Sequence, residues 1–365
     1  MPLPRYRDDI VLLTGAGASA YLGMPTLDEV LKGVELPLAD EEVAALILKT
    51  RKSIEGNIHR ISSAVFEEMI AKLKYYLQVT ETLTADFTFR DELGSLPSVI
   101  NSGSLAKKWK SALTRCYRLL ISEYGPNKIR YGTPEFAAAI ELIGELAKLN
   151  SGELHIYTTN YDCVYHVMAS RADSLSFFSH IDNVKGTFKE VWCPARPDLE
   201  GAGLPSVYVH RLHGCVAWFT QEEPYEIREI YGAGSNLEVD DENLLHKMCI
   251  KLIASQEIGR NVAFLSAYEE FCNHLESAKA LIIWGSSFRD MEVLRAINNA
   301  FPIRRTSLPV YYINPFRSEA DVIDKIRITL RPVPVVVRPD FKPKQIKWLP
   351  RQPGRELIRA VLDAV

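Results

Sequence analysis

The sequence predicts an α/β protein: a doubly wound, mostly parallel sheet with a large helical insertion. Three observations carry this. Short apolar runs at 8–15, 153–160, 206–214, 279–287 and 308–315 are bounded by charge, Gly or Pro, as strands buried on both faces are. Helical stretches lie between most of them, notably 262–278 and 289–300. The interval 41–150 reads as helical almost throughout and follows the first strand–helix unit as an insertion.

In chain order, "DDIVLLTG" (8–15) is the first buried strand. A short helix follows, interrupted by Gly23 and Pro25. Thr26 with Glu29 has the spacing of a capping box for "LDEVLKG". In "FEEMIAKLKYYLQV", Phe66, Met69, Ile70, Leu73 and Leu77 fall on one helical face, and "LAKKWKSALTRCYRLLISEY" repeats the pattern. Thr133 and Pro134 suit N-cap and first-turn positions, and Gly152 lies beyond that helix's end. The segment 180–206, rich in Gly, Pro and mixed charge, reads as a long surface loop. The Pro-rich tail from 331 reads as an edge strand plus an extended arm. The expected units are 1–40 with 151–330 as the nucleotide-binding core, 41–150 as the helical insertion, and 331–365 as an extension packed on the core.

Composition excludes several classes. The 365 residues suit about two domains, and a 47% hydrophobic content supports a large core. A net charge of -3 gives no footprint for nucleic acid or an anionic membrane. No apolar run approaches the roughly 20 residues of a bilayer span, and "MPLPRYRDDI" has no signal-peptide core, so a cytoplasmic protein is expected. Of the six cysteines (116, 163, 193, 215, 249 and 272), no two form a C-x-x-C pair; no structural metal is expected, and they read as small buried hydrophobes.

The stretch "LLTGAGASA" (12–20) gives up side chains where a strand hands over to a helix. Gly15, Gly17 and Ala20 fit G-x-G-x-x-A, the Rossmann-like pattern in which backbone approaches a pyrophosphate at a helix N-terminus. A tight turn with no ligand is the competing reading. The acidic residue that holds a ribose in ordinary dehydrogenases is missing: Glu35 has the spacing, but "VELPLADEE" is not a strand.

Further stretches follow the other strands: "YTTNYD" (157–162), "LHG" (212–214), "GSSFRD" (285–290) and "INP" (313–315). With "GAGAS" and "GMP", in this order over about residues 8–320, they resemble the Sir2 (sirtuin) family. They look most like its bacterial branch of SIR2-domain NAD-cleaving proteins, many of them antiviral defence effectors. The resemblance implies that Gly15, Ala16, Gly17 and Ser19 cradle the phosphates, and that Asn160 and Asp162 lie by the nicotinamide and its ribose. It implies His213 as general base, and Gly285, Ser286 and Asn314 along the adenosine half. Pro25, Thr159 and Asp290 complete the expected cofactor-binding set. Chemically these types suit cleavage of a nicotinamide–ribose bond, because the leaving group is already cationic and the site must hold the ribose and stabilise positive charge. Structural readings stand beside these: Asn160 as a turn residue, Asp162 as a helix cap. His210 is expected to face elsewhere.

The chain departs from deacylating sirtuins. Pro25 is followed by Thr26, Leu27 and Asp28 rather than an Asp-Phe-Arg run, the two C-x-x-C pairs of the zinc module are absent, and no acyl-lysine-clamping strand is recognisable. The expected function is therefore an NAD+ glycohydrolase of antiviral defence that acts by NAD depletion. It would be gated by homo-oligomerisation or by a separate partner protein such as a defence-system ATPase. Alternatives are a protein deacylase or ADP-ribosyltransferase, or a non-catalytic NAD or ADP-ribose sensor.

Overall fold

The computed structural model describes residues 10–27, 29–30, 62–85, 102–183, 186–191, 203–220, 227–229, 248–250, 262–286, 290–303, 308–313 and 346–349, with a few isolated positions at 45–54 and at 359. Glu35, Asn314 and the "PVPVVV" run lie outside the described residues, as does most of "LDEVLKG".

The strands are β1 (Ile10–Thr14), β2 (Glu153–Thr158), β3 (Ser176–Asn183), β4 (Gly186–Val191), β5 (Ser206–Arg211), β6 (Gly214–Thr220), β7 (Ile227–Glu229), β8 (Met248–Ile250), β9 (Ala280–Trp284), β10 (Val310–Ile313) and β11 (Ile346–Leu349). The helices named here are α1 (Ala16–Tyr21), α2 (Ser62–Ala85), α3 (Ser102–Tyr124), α4 (Pro134–Leu149), α5 (Val164–Arg171), α6 (Val262–Ser277) and α7 (Met291–Ile303). Eight strands form one sheet in the order β11-β10-β9-β1-β2-β5-β3-β4. All neighbours are parallel except β3 and β4. The chain runs outward from β1 on one side through β2 and β5, then returns to build β9, β10 and β11 on the other. The reversal lies between β1 and β9, where ligands bind in such sheets.

Both faces are covered, which is why the central strands read as unbroken apolar runs. Ile10 and Leu12 of β1, with Ala280 and Ile282 of β9, pack in one core with Phe66, Met69 and Ile70 of α2 and Leu142 and Leu146 of α4. Val11 and Leu13, with Leu281 and Ile283, point the other way, toward Phe271 and Leu275 of α6 and Leu294 and Ile297 of α7. The predicted caps form. Thr26 N–H donates to Glu29 Oε2 at 2.7 Å, and the Thr133 hydroxyl accepts from Phe136 N–H at 3.2 Å. Asn150, after α4, receives Ile10 N–H and donates to Ile10 C=O, both at 2.9 Å, which pins the start of β1.

One expectation is corrected. The segment from 180 is not a loop throughout: β3 and β4 pair antiparallel and extend the sheet at its edge. Its Gly, Pro and mixed charge suggested a loop, but an edge ladder is made by backbone groups and needs little apolar alternation. The tail does carry an edge strand, "IKWL", parallel to β10. A small antiparallel sheet, β7-β6-β8, also follows the HG motif and was not anticipated.

The glycines at the reversal have a specific cause. A Cβ on Gly15 would lie 2.7 Å from Ser286 Cα, one on Gly17 2.8 Å from Gly285 Cα, and one on Gly285 2.2 Å from Ala18 N. Gly285 also has φ +69°, in the left-handed region. The loops after β1 and β9 therefore touch backbone to backbone. Gly285→Ala is expected to lower stability in urea titration by about 3 kcal/mol, from overpacking and a strained φ together. Gly132→Ala, where an added Cβ meets nothing within 4 Å, is expected to change it by less than about 0.5 kcal/mol.

Candidate active site

Loops following β1, β2, β5 and β9 are stitched together by backbone hydrogen bonds. Gly15 N–H donates to Trp284 C=O, Gly17 N–H to Gly285 C=O, Thr159 N–H to Thr14 C=O, and Leu212 N–H to Thr158 C=O, at 2.9 to 3.1 Å. The site is built on this frame.

Asn160 is buried at the end of β2. Its Nδ2 donates to Gly15 C=O at 2.9 Å and to Ser19 Oγ at 2.7 Å. Ser19 Oγ in turn donates to Asp162 Oδ2 at 2.5 Å, and Asp162 Oδ1 accepts from Val164 N–H at 3.0 Å. One chain of polar contacts thus joins the glycine turn, the TTNYD loop and the start of α5. Both Asp162 oxygens are engaged inside the protein, so Asp162 does hold the start of a helix. Each carboxylate oxygen retains a further lone pair for a ligand. Asn160 Oδ1 makes no hydrogen bond to any described residue and is the acceptor this chain leaves for a ligand hydroxyl or a water.

His213, after β5, is 1% exposed, and its Nε2 contacts Asp290 Oδ2. Asp290 Oδ1 accepts from Glu292 N–H at 2.8 Å and Val293 N–H at 3.2 Å, capping α7. One oxygen orients the imidazole while the other is fixed by a helix N-terminus. The resemblance implied Asp290 as a cofactor contact; its pairing with His213 was not legible, because the two lie 77 residues apart.

Beneath the site, Arg211 is fully buried; its guanidinium donates to Asp162 C=O at 2.9 Å and to His166 Nδ1 at 3.1 Å. Cys163, His166 and Cys215 bring donor atoms within 4.8 Å of one another. A metal ion there would have to share the space with this fixed guanidinium. The hydrogen bond to Cys215, then burial, holds the Cys163 thiol well above its usual range, so it stays protonated. The cluster is a packed polar support for the Asp162 loop.

Sequence reasoning missed Glu67. This α2 carboxylate, 5% exposed, accepts from the Tyr161 hydroxyl at 2.9 Å. Tyr161 stands between Asn160 and Asp162, its ring centroid 6.1 Å from that of His213. Burial first, then the Glu67 charge, pushes the Tyr161 hydroxyl well above its ordinary range, so it remains a donor at physiological pH. Glu67 sits at the margin of the apolar stripe of α2, and no spacing signal marks it.

The structure gathers Gly15, Ala16, Gly17, Ser19, Thr159, Asn160, Asp162, His213, Gly285, Ser286 and Asp290 around these loop ends. The Ser286 carbonyl accepts from the Tyr312 hydroxyl. Pro25 is half-buried after α1. His210 faces away, toward α6, as expected.

No family model matches the chain, and no curated protein matches it. Among solved structures, a complex of a Sir2 homologue with NAD is similar at 14% identity, over 97% of this chain and 90% of that one, with a TM-score of 0.44. A mutant Sir2 homologue bound to ADP-ribose is similar at 14% identity, over 97% and 92%, with a TM-score of 0.43. A structure described as addressing the mechanism and regulation of Sir2 enzymes is 13% identical over 87% and 84%, with a TM-score of 0.37.

Tyr161→Phe removes the hydroxyl that Glu67 accepts, and is expected to lower stability by about 1–3 kcal/mol in urea titration. The loss should grow smaller above pH 10. There the unfolded tyrosine ionises while the folded one stays protonated, so the wild type itself loses stability with rising pH and the Phe variant loses less.

Proposed function

We propose that the chain is an NAD+ glycohydrolase: it cleaves NAD+ with water to nicotinamide and ADP-ribose. The observation that carries this reading is the Asn160–Ser19–Asp162 contact chain after β1 and β2, with the His213–Asp290 pair on the strand-end loops after β5 and β9. The motifs that supply these residues are those by which the sequence resembles the Sir2 family. In the reaction the C1′–N1 bond breaks, and its electron pair goes to the nicotinamide ring nitrogen. A water oxygen bonds to C1′, and its proton passes to His213, whose Nδ1 lies opposite the nitrogen held by Asp290. Asn160 Oδ1 orients the water or a ribose hydroxyl. The backbone from Gly15 to Ser19 holds the pyrophosphate, and the loop at Gly285 and Ser286 lies along the adenosine half, with Asn314 assigned to the same half.

An NAD+ hydrolase left running depletes its own cell. We therefore read it as a cytoplasmic antiviral effector gated by self-assembly or by a separate partner protein. Tyr75, Tyr76 and Val79 of α2 are 61%, 37% and 37% exposed beside Trp109 of α3, an aromatic patch suited to such contacts. Among the described residues, no helix is long and apolar enough to cross a membrane.

The test is nicotinamide release from NAD+ by purified protein with no peptide present. Asn160→Ala and His213→Ala are each expected to slow it by about 100-fold or more, with the fold intact by thermal unfolding. Release only in the presence of an acyl-lysine peptide would establish a deacylase. NAD+ binding with no turnover in every assembly state would establish a sensor.

A further inference from the structure

The expectation that His210 faces elsewhere leaves open what it faces. His155 and Tyr157 lie on one face of β2, and their register partners Tyr208 and His210 lie on the same face of β5. α6 packs over this face, bringing Glu270 and His274, one helical turn apart, to the same place. His155 Nδ1 meets His210 Nε2 at 2.9 Å, and His210 Nδ1 lies 3.2 Å from Glu270 Oε2. His274 stands over His155, with ring centroids 4.3 Å apart, and its Nδ1 contacts the Tyr157 hydroxyl. Three of the chain's eight histidines and one carboxylate therefore cluster between a sheet and a helix.

We propose that His155, His210 and Glu270 form a binding site for a divalent transition-metal cation, Zn2+ by donor type, that staples α6 to β2 and β5. One donor atom from each residue lies within 4.8 Å of the other two. Two imidazoles and a carboxylate form a recurrent zinc donor set. Two donors each about 2.05 Å from a tetrahedral ion stand about 3.3 Å apart, so the 2.9 Å contact of His155 Nδ1 with His210 Nε2 needs to open only slightly, while Glu270, 3.2 Å from the other His210 nitrogen, has to swing toward the two rings. The cation would take the place of the proton shared by the two rings, so its uptake weakens as pH falls. His155 is half-buried and the Glu270 side chain is 14% exposed, which leaves an entry path from solvent. The Tyr157–His274 contact fixes the wall beside His155. The expectation of no metal rested on cysteine spacing, which does not report a donor set drawn from two strands and a helix.

The experiment uses the full chain, freed of metal by a chelator and titrated with Zn2+ alone. One equivalent should bind tightly and raise the thermal midpoint. His155→Ala and Glu270→Gln should each weaken uptake by about 10- to 100-fold. If either variant fails to fold, Co2+ added to the wild type decides, because tetrahedral nitrogen and oxygen ligation gives visible d–d bands with no thiolate charge-transfer absorption. Three results would overturn the site: no stoichiometric uptake by folded wild type, uptake unchanged in both variants, or a thiolate band placing the ion at Cys163 and Cys215.

Discussion

The whole arrangement depends on how closely two backbones approach where the sheet reverses. The turns after β1 and β9 touch with no side chain between them, at Gly15, Gly17 and Gly285. Side chains there would push the strand ends apart and break the bonds from Gly15 N–H to Trp284 C=O and from Gly17 N–H to Gly285 C=O. The G-x-G spacing thus has a structural cause in this protein, independent of any ligand. The same approach lies at the strand ends where a doubly wound sheet offers a nucleotide its crevice. Packing and proposed binding therefore use one feature.

Around that contact, distant parts of the chain each contribute one polar group. Asn160 reaches from β2 to the glycine turn, Asp290 reaches from the cap of α7 to His213, and Glu67 reaches from the helical insertion to Tyr161. Each side chain is tied to backbone or to a second polar group, and little rotational freedom remains. Such pre-ordering suits a reaction whose main demand is to hold a ribose and stabilise charge. The Glu67–Tyr161 contact also links the helical insertion to the loop carrying Asn160.

The sheet was legible because strands buried on both faces are continuous apolar runs, and because Thr133, Pro134 and the Thr26–Glu29 pair mark helix starts locally. The β3–β4 hairpin was not, since an edge pairing depends on backbone groups that every residue carries. The strand-end motifs pointed to Asn160, Asp162 and His213, and the fold brings their loops together. What could not be read were relations across long sequence separations: Asp290 with His213, Arg211 beneath Asp162, and Glu67 with Tyr161. None of these pairs leaves a periodic trace, because each partner sits alone in its own element.

The most direct measurement is a crystal structure of the Asn160→Ala protein soaked with NAD+. The pyrophosphate is expected against the Gly15–Ser19 backbone and the nicotinamide ribose between position 160 and His213. NAD+ bound elsewhere on the molecule, or a crevice that stays empty at saturating NAD+, would contradict this.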